Sequence, residues 1–206
     1  MAISYPIAFP TVSGIMRITW RAIRADALTS SPFTFASQVI RHQGQRWEAD
    51  IYMPPMDRAS AEVMAAFLLQ LDGRMGTFTL TPPEGASPQG VGGGTPVVNG
   101  ASQTGAELVV DGLPISTTAW LKAGDYFSLG SGSTSRLHKV VADVDSDGSG
   151  EAIMDIWPKL RASPADNATI TITNPIGLFR MSTPNSSWDI DSAALYGFGF
   201  SVMEAL

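Results

Sequence analysis

The 206-residue chain contains no cysteine. It can therefore form no disulfide, and it offers no thiolate for catalysis or for a metal ion. Histidine is also scarce, with only His42 and His138 in the whole sequence. Neither lies near a Gly-x-Ser-x-Gly motif, so we do not expect either histidine to serve as the base of a nucleophilic enzyme.

Positive charge and long apolar runs are scarce as well. The 13 Lys and Arg residues stand against 19 Asp and Glu, which gives a net charge of -6. Nucleic-acid-binding proteins normally carry a basic face, so we expect no nucleic-acid recognition. The longest apolar stretch, 63–69, is far shorter than the roughly 20 residues that span a bilayer. The first residues do not resemble a signal peptide, so we expect synthesis in a cytoplasm and no membrane insertion.

Two-residue alternation of apolar and polar side chains predicts strands in the first third of the chain. The pattern runs over 15–23, resumes over 33–39 after a break at Ser31-Pro32, and returns over 47–53. The tetrapeptide 42–45, which contains Gly44, is predicted to be a hairpin turn.

A single helix is predicted at about 58–72. Asp57 suits the N-cap, and Gly73 follows the last periodic residue. The apolar side chains fall at helical spacing on one stripe, which consists of Met64, Phe67, Leu68 and Leu71. Packing of this stripe on a sheet explains it more simply than a ligand-binding surface does.

The composition changes after the helix and the short strand 76–80. Six glycines between positions 85 and 100 predict a flexible connector. Short strands with frequent turns follow, which is typical of a small β-barrel or sandwich. The last segment, 175–206, is too short for a core of its own and is expected to join the sheet of residues 1–84. The sequence thus predicts a mainly β protein in which a β domain, 85–174, is inserted into a helix-bearing β domain.

The segment Asp143-Val144-Asp145-Ser146-Asp147-Gly148 resembles the first half of a calcium-binding loop. A bidentate glutamate is required at the twelfth position, where this chain has Met154, and the flanking residues resemble strands rather than helices. A hairpin turn explains the same residues, and it is the interpretation that we favour over a cation site.

Two further patterns suggest chemistry only weakly. Glu48 and Asp50 share a strand face and could imitate an acid–base pair, but a solvated strand face is the more common origin. The glycine run 90–94 lacks the Gly-Lys-Ser/Thr ending of a phosphate-binding loop. We therefore predict no catalytic residue, no cofactor and no metal ligand.

Two groups of segments resemble one known family. The first comprises 44–56 and 73–78, on either side of the helix; the second comprises 120–126, 136–141 and 157–161. These segments are similar to distal tail (Dit-like) or minor tail proteins of long-tailed, siphovirus-type phages, prophages and gene transfer agents. The shared motifs are patterns of strands and turns, and they extend over most of the chain.

The resemblance implies a split β-barrel with one packed helix, an inserted β domain and a non-enzymatic role in the virion. It implies a hexameric ring at the tail tip, between the tail tube protein and the hub protein of the baseplate, with the tape-measure protein as a further neighbour. A closed ring would also use the unpaired edges of the N-terminal strands head to tail.

Two other functions are less well supported by the sequence. An accessory module could bind host glycan through rings of the inserted domain, for which Trp120, Tyr126 and Trp157 are the candidates, although we expect these rings to pack in a core. A cell-wall hydrolase would require carboxylates that converge in a cleft.

Overall fold

The computed structural model describes residues 3–12 and 14–206. It is mainly β, with 42% strand and 9% helix, which confirms the predicted class of a mainly β chain with one α-helix. Two short 3₁₀ turns accompany the helix at Pro83–Gly85 and Gly132–Thr134. The helix and strands of the described residues are β1 (Ile7–Ala8), β2 (Arg17–Ser30), β3 (Ser37–Tyr52), α1 (Arg58–Gln70), β4 (Phe78–Leu80), β5 (Val97–Val98), β6 (Gly105–Asp111), β7 (Tyr126–Leu129), β8 (Arg136–Val140), β9 (Ala152–Leu160), β10 (Ile170–Thr171), β11 (Gly177–Met181), β12 (Trp188–Ile190) and β13 (Tyr196–Glu204).

The first sheet has the strand order β1-β4-β11-β13-β3-β2, and β12 pairs with β13. Helix α1 packs on its inner face, where the rings of Phe67 and Phe78 lie 5.4 Å apart, centroid to centroid. Asp57 is the N-cap of the helix, as predicted: its side chain accepts a hydrogen bond from the amide of Ser60 at 3.0 Å. The predicted apolar stripe is buried in this core.

The hairpin of β2 and β3 is longer than the sequence predicts. Its turn lies at residues 31–36, where the amide of Ser31 donates to the carbonyl of Ala36 at 2.9 Å. The predicted turn at 42–45 is therefore wrong, because these residues continue β3. Gly44 marks an irregularity rather than a turn, since the pairing register shifts opposite it, between Arg24 and Asp26.

The second sheet is a nearly closed barrel of six strands in the order β10-β7-β8-β9-β6-β5. Its two ends meet through a bridge between Val97 and Thr169. Two backbone hydrogen bonds of 3.0 Å reinforce this closure, from Val98 to the carbonyl of Ala168 and from Ile170 to that of Pro96. Closure leaves this sheet with little unpaired edge.

The predicted flexible connector is a packed segment. The amides of Gln89 and Gly90 donate to the buried carboxylate of Asp125 at 2.8 and 3.1 Å. A Cβ atom on Gly90 would lie 2.4 Å from the carbonyl oxygen of Trp120, so only glycine permits this approach. The glycines thus bring the chain against the barrel.

The two sheets share part of their core. Strands of the first sheet come from 7–80 and 177–204, and those of the barrel from 97–171. Nevertheless, Leu137 and Trp157 of the barrel strands are buried in the hydrophobic cluster of the first sheet. The predicted domain limits, 1–84 with 175–206 and 85–174, stay a prediction.

Candidate functional site: a projecting hairpin arm

The two histidines lie on different sheets. His42 is exposed on β3, and His138 is buried on β8 inside the barrel. The Nδ1 atom of His138 lies 2.8 Å from the carbonyl oxygen of Pro158, and the ring stacks on Phe127 with centroids 5.3 Å apart. Burial lowers the pKa of His138 to about 4. The structure therefore does not bring the two histidines together.

The carboxylates of the acidic segment 143–147 accept hydrogen bonds from backbone amides. Asp143 accepts from the amide of Ala123 at 2.8 Å, and Asp145 accepts from that of Ala119 at 2.6 Å. Asp147 accepts from the amides of Ser149 and Glu151 at 2.8 and 2.9 Å. These bonds lower the pKa of its carboxyl group, and the bond from Glu151 has the larger effect.

Asp147 thus stabilises a turn at the end of the segment, whereas Asp143 and Asp145 tie the segment to residues 119–123. The turn favoured from the sequence over 143–148 is found only at its C-terminal end. Within residues 3–12 and 14–206, no three Asp, Glu or His side chains are grouped as metal ligands would be.

Glu48 and Asp50 share a strand face, as predicted, but each is paired with arginine. Arg21 donates to both carboxylate oxygens of Asp50, and Arg46 donates to Glu48 at 2.6 Å. The hydrogen bond from Arg21 is the main reason that the pKa of Asp50 is lowered, and a bond from Ser201 adds to it. These groups form a charged ladder across strands and do not converge on a cleft.

The aromatic candidates for sugar stacking are largely buried. Trp120 is fully buried in the barrel core, and Trp157 packs edge-on against Trp47 with ring centroids 4.3 Å apart. Tyr126 is half-buried and lies beneath the ammonium group of Lys139, which is 4.3 Å from its ring centroid. The core role expected for these rings is the one that the structure shows for both tryptophans.

The most unusual surface is the outer half of the β2–β3 hairpin, residues 24–44, which we call the arm. All its residues except Ser31 are exposed. Its large apolar side chains project into solvent from both strands and from the turn, with exposed fractions of 68% for Leu28, 91% for Phe33, 85% for Phe35, 55% for Val39 and 51% for Ile40.

The arm is ordered by backbone pairing rather than by a core. Antiparallel pairs run from Asp26 with Arg41 to Ser30 with Ser37. At the turn, the hydroxyl of Ser31 accepts hydrogen bonds from the amides of Phe33 and Thr34 at 3.3 and 3.4 Å. Phe35 adopts a positive φ of 57° there, which is uncommon for a bulky residue. The turn is thus ordered by these bonds, while the side chains of Phe33 and Phe35 remain exposed to solvent.

Strand β2 also forms an edge of the first sheet. It pairs with β3 on one side, and no described strand pairs with it on the other. The backbone amides and carbonyls on that side are therefore available to another chain along much of a 14-residue strand. The sequence indicates an unpaired edge among the N-terminal strands, as found here. The alternation over 33–39 predicts a strand, but β3 begins only at Ser37, and residues 33–36 belong to the turn at the tip of the arm.

Comparisons with known proteins do not identify a relative. No family model matches the chain, and no curated protein matches it either.

None of the helices in the described part of the chain has the length and apolar character needed to cross a membrane.

Proposed function

We propose that this chain is a structural protein of a phage-type tail tip, which assembles with copies of itself into a ring between the tail tube and the hub of the baseplate. The observation that carries the proposal is the arm. It exposes five large apolar side chains on an ordered hairpin that has no cover within the described chain.

The exposed apolar surface favours a protein partner. Complete burial of each such side chain contributes roughly 1.5–3 kcal/mol, before the entropic costs of association are subtracted. Two phenylalanines with Leu28, Val39 and Ile40 therefore supply enough apolar surface to drive association. An ordered arm also loses little conformational entropy when it binds.

The open edge favours head-to-tail association in particular. A copy that adds its own strand to β2 leaves its own β2 edge open for the next copy, and such a series ends only when the ring closes. The resemblance to distal tail proteins supplies the copy number of six and the neighbours, which are the tail tube, hub and tape-measure proteins. A bacterial cytoplasm is then the place of synthesis, and the virion tail is the final location.

A non-enzymatic role is part of the same proposal. Glu48 and Asp50, the carboxylates that the sequence offered as an acid–base pair, are bonded to arginines, as described above. The alternative of a glycan-binding module has less support, because Trp120 and Trp157 are buried and present no platform to solvent. A cell-wall hydrolase has less still, since Glu48 and Asp50 lie on a paired sheet face.

Mass measurement in solution tests the proposal. We expect sedimentation velocity and negative-stain microscopy to show closed rings, and the double variant Phe33→Ser/Phe35→Ser to remain monomeric. Leu69→Ser provides the matched control, because Leu69 is 65% exposed on the helix and lies outside the arm. Rings that persist in the double variant, or a wild-type protein that stays monomeric at all concentrations, would contradict an arm-driven ring.

A further inference from the structure

We propose that one mouth of the six-stranded barrel is a binding site for a small organic carboxylate with an apolar carbon chain. The mouth is a cleft of about 480 Å³ between the ends of β7, β8 and β9 and the segment that follows β9. The residues that matter for the argument are Leu129, Arg136, His138, Leu160, Arg161 and Ala168.

The register of the strands places the key side chains on the inner face of the barrel. Phe127 pairs with His138 and Leu129 pairs with Arg136, so members of each pair share a face. Because Phe127 is fully buried in the barrel core, His138 and Arg136 point to the same side as that core. His138 thus forms the floor of the cleft, and Arg136 lies closer to its rim.

Arg136 donates its hydrogen bonds only to backbone carbonyls. Its Nη1 atom donates to the carbonyls of Ser135 at 2.9 Å and Ser133 at 3.5 Å. No described carboxylate lies within ion-pair distance of it, whereas the neighbouring Arg161 is paired with Glu204 at 2.6 Å. Of the two guanidinium groups at the cleft, that of Arg161 is paired with a carboxylate, whereas that of Arg136 has only backbone carbonyls as acceptors.

The surroundings favour a monoanion that is largely apolar. Partial burial lowers the pKa of Arg136, which shows that its charged form is poorly solvated there, and a bound anion would relieve this cost. A guanidinium group presents parallel N–H donors that match the two oxygens of a carboxylate. The side chains of Leu129, Leu160 and Ala168 provide apolar walls for the carbon chain.

His138 adds no charge to this arrangement, because burial keeps its ring neutral. Its Nδ1 atom contacts the carbonyl of Pro158 at 2.8 Å, so the neutral ring carries its proton on that nitrogen. The cleft therefore combines one cationic donor group, a neutral floor and apolar walls. This combination suits a carboxylate with a short hydrocarbon body better than a multiply charged phosphate.

Titration of the full chain with sodium hexanoate, followed by amide shifts in nuclear magnetic resonance spectra, tests the site. We expect saturable shifts in residues 129–138 and 160–168 with millimolar affinity, and at least about tenfold weaker binding of hexanamide, which lacks the charge. Arg136→Gln is expected to weaken hexanoate binding by a similar factor. Arg58→Gln, on the exposed face of α1, is the matched control and should bind normally.

A second variant separates binding from folding. Ala165→Trp keeps Arg136 and places a large ring in the cleft, so it should also abolish the hexanoate shifts while the remaining spectrum stays unchanged. Equal binding of hexanamide, unaltered binding by either variant, or no saturable shift at about 50 mM hexanoate would overturn the proposal. The two proposals have separate readouts, because the hexanoate shifts report on residues of the cleft and sedimentation of the arm variants reports on assembly.

Discussion

One hairpin contains two regions that share the same strands but have opposite surroundings. At its base, 17–23 pairs with 46–52 and buries Trp47, Ala49 and Ile51. In the arm, 24–44, the same ladder continues while Leu28, Val39 and Ile40 remain exposed.

The comparison shows that strand pairing and burial are separate properties. Backbone hydrogen bonds order both regions, whereas only the base has a helix and a second sheet packed against it. Stability should therefore depend on the base, and association should depend on the arm.

The largest loss of stability is expected where the base meets the barrel. The indole of Trp47 donates to the carbonyl of Leu137 at 3.0 Å and packs against Trp157. We expect Trp47→Ala to lower the free energy of unfolding by about 4 kcal/mol, measured by urea denaturation, because it opens a cavity and leaves a carbonyl unpaired. Trp47→Phe keeps a ring and should cost much less. A loss below about 1 kcal/mol for the alanine variant would show that the base does not need this contact.

A second contact between base and barrel is the ion pair of Arg161 and Glu204. The carboxylate of Glu204 is 1% exposed and also accepts from the amide of Trp47 at 3.0 Å, and Arg161 donates to the carbonyl of Gln45 at 2.9 Å. Arg161→Met leaves a buried carboxylate without its partner, so we expect a loss of about 3 kcal/mol.

The matched control for this variant is Arg46→Met. It breaks the pair with Glu48 at a guanidinium that is 43% exposed, and it should cost no more than about 1 kcal/mol. Equal effects of the two substitutions in thermal unfolding would refute the importance of the buried pair.

The barrel that supports the base should weaken in mild acid. Burial lowers the pKa of His138 to about 4 from an ordinary value of 6.5, so the unfolded chain binds a proton in this window and the folded chain does not. The associated stability is present above pH 6.5 and is lost as the pH falls towards 4. We expect a decrease of about 2 kcal/mol between pH 8 and pH 5.

The variant His138→Gln should remove this dependence. Asp50, Asp57 and Asp147 do not obscure the measurement, because their lowered pKa values make their contributions disappear only below about pH 4. An unchanged slope between pH 8 and pH 5 in the variant would assign the effect to other groups.

The sequence predicted those features that depend on local patterns. The fold class, the helix with its cap at Asp57 and the buried stripe around Phe67 follow from periodicity and capping chemistry. The turn at Asp147 follows from the same kind of local signal, whereas the bonds of Asp143 and Asp145 to amides about 20 or more positions away do not.

The features that the sequence missed depend on distant contacts. Alternation predicts a strand but does not show what covers it, so the exposure of Phe33 and Phe35 was not foreseen. The sequence predicts a turn at Gly44, which in the structure lies opposite a register shift. It predicts a flexible connector at Gly90, which in the structure packs against the backbone of Trp120. In each case the deciding neighbour is remote in sequence. Arg136 and Arg161 are 25 positions apart, and only the closure of the barrel brings them to one cleft.

The smallest effect is expected from a substitution in the arm, and it tests the comparison within one strand. Ile40 and Ile51 both lie on β3, but Ile40 is 51% exposed and Ile51 is fully buried. Ile40→Ala should change the free energy of unfolding of the monomer by no more than about 0.5 kcal/mol, whereas Ile51→Ala should lower it by about 3 kcal/mol. Denaturation at a concentration below that of assembly measures both values. A large loss for Ile40→Ala would mean that the arm is packed against its own chain, and its apolar side chains would then no longer argue for a partner.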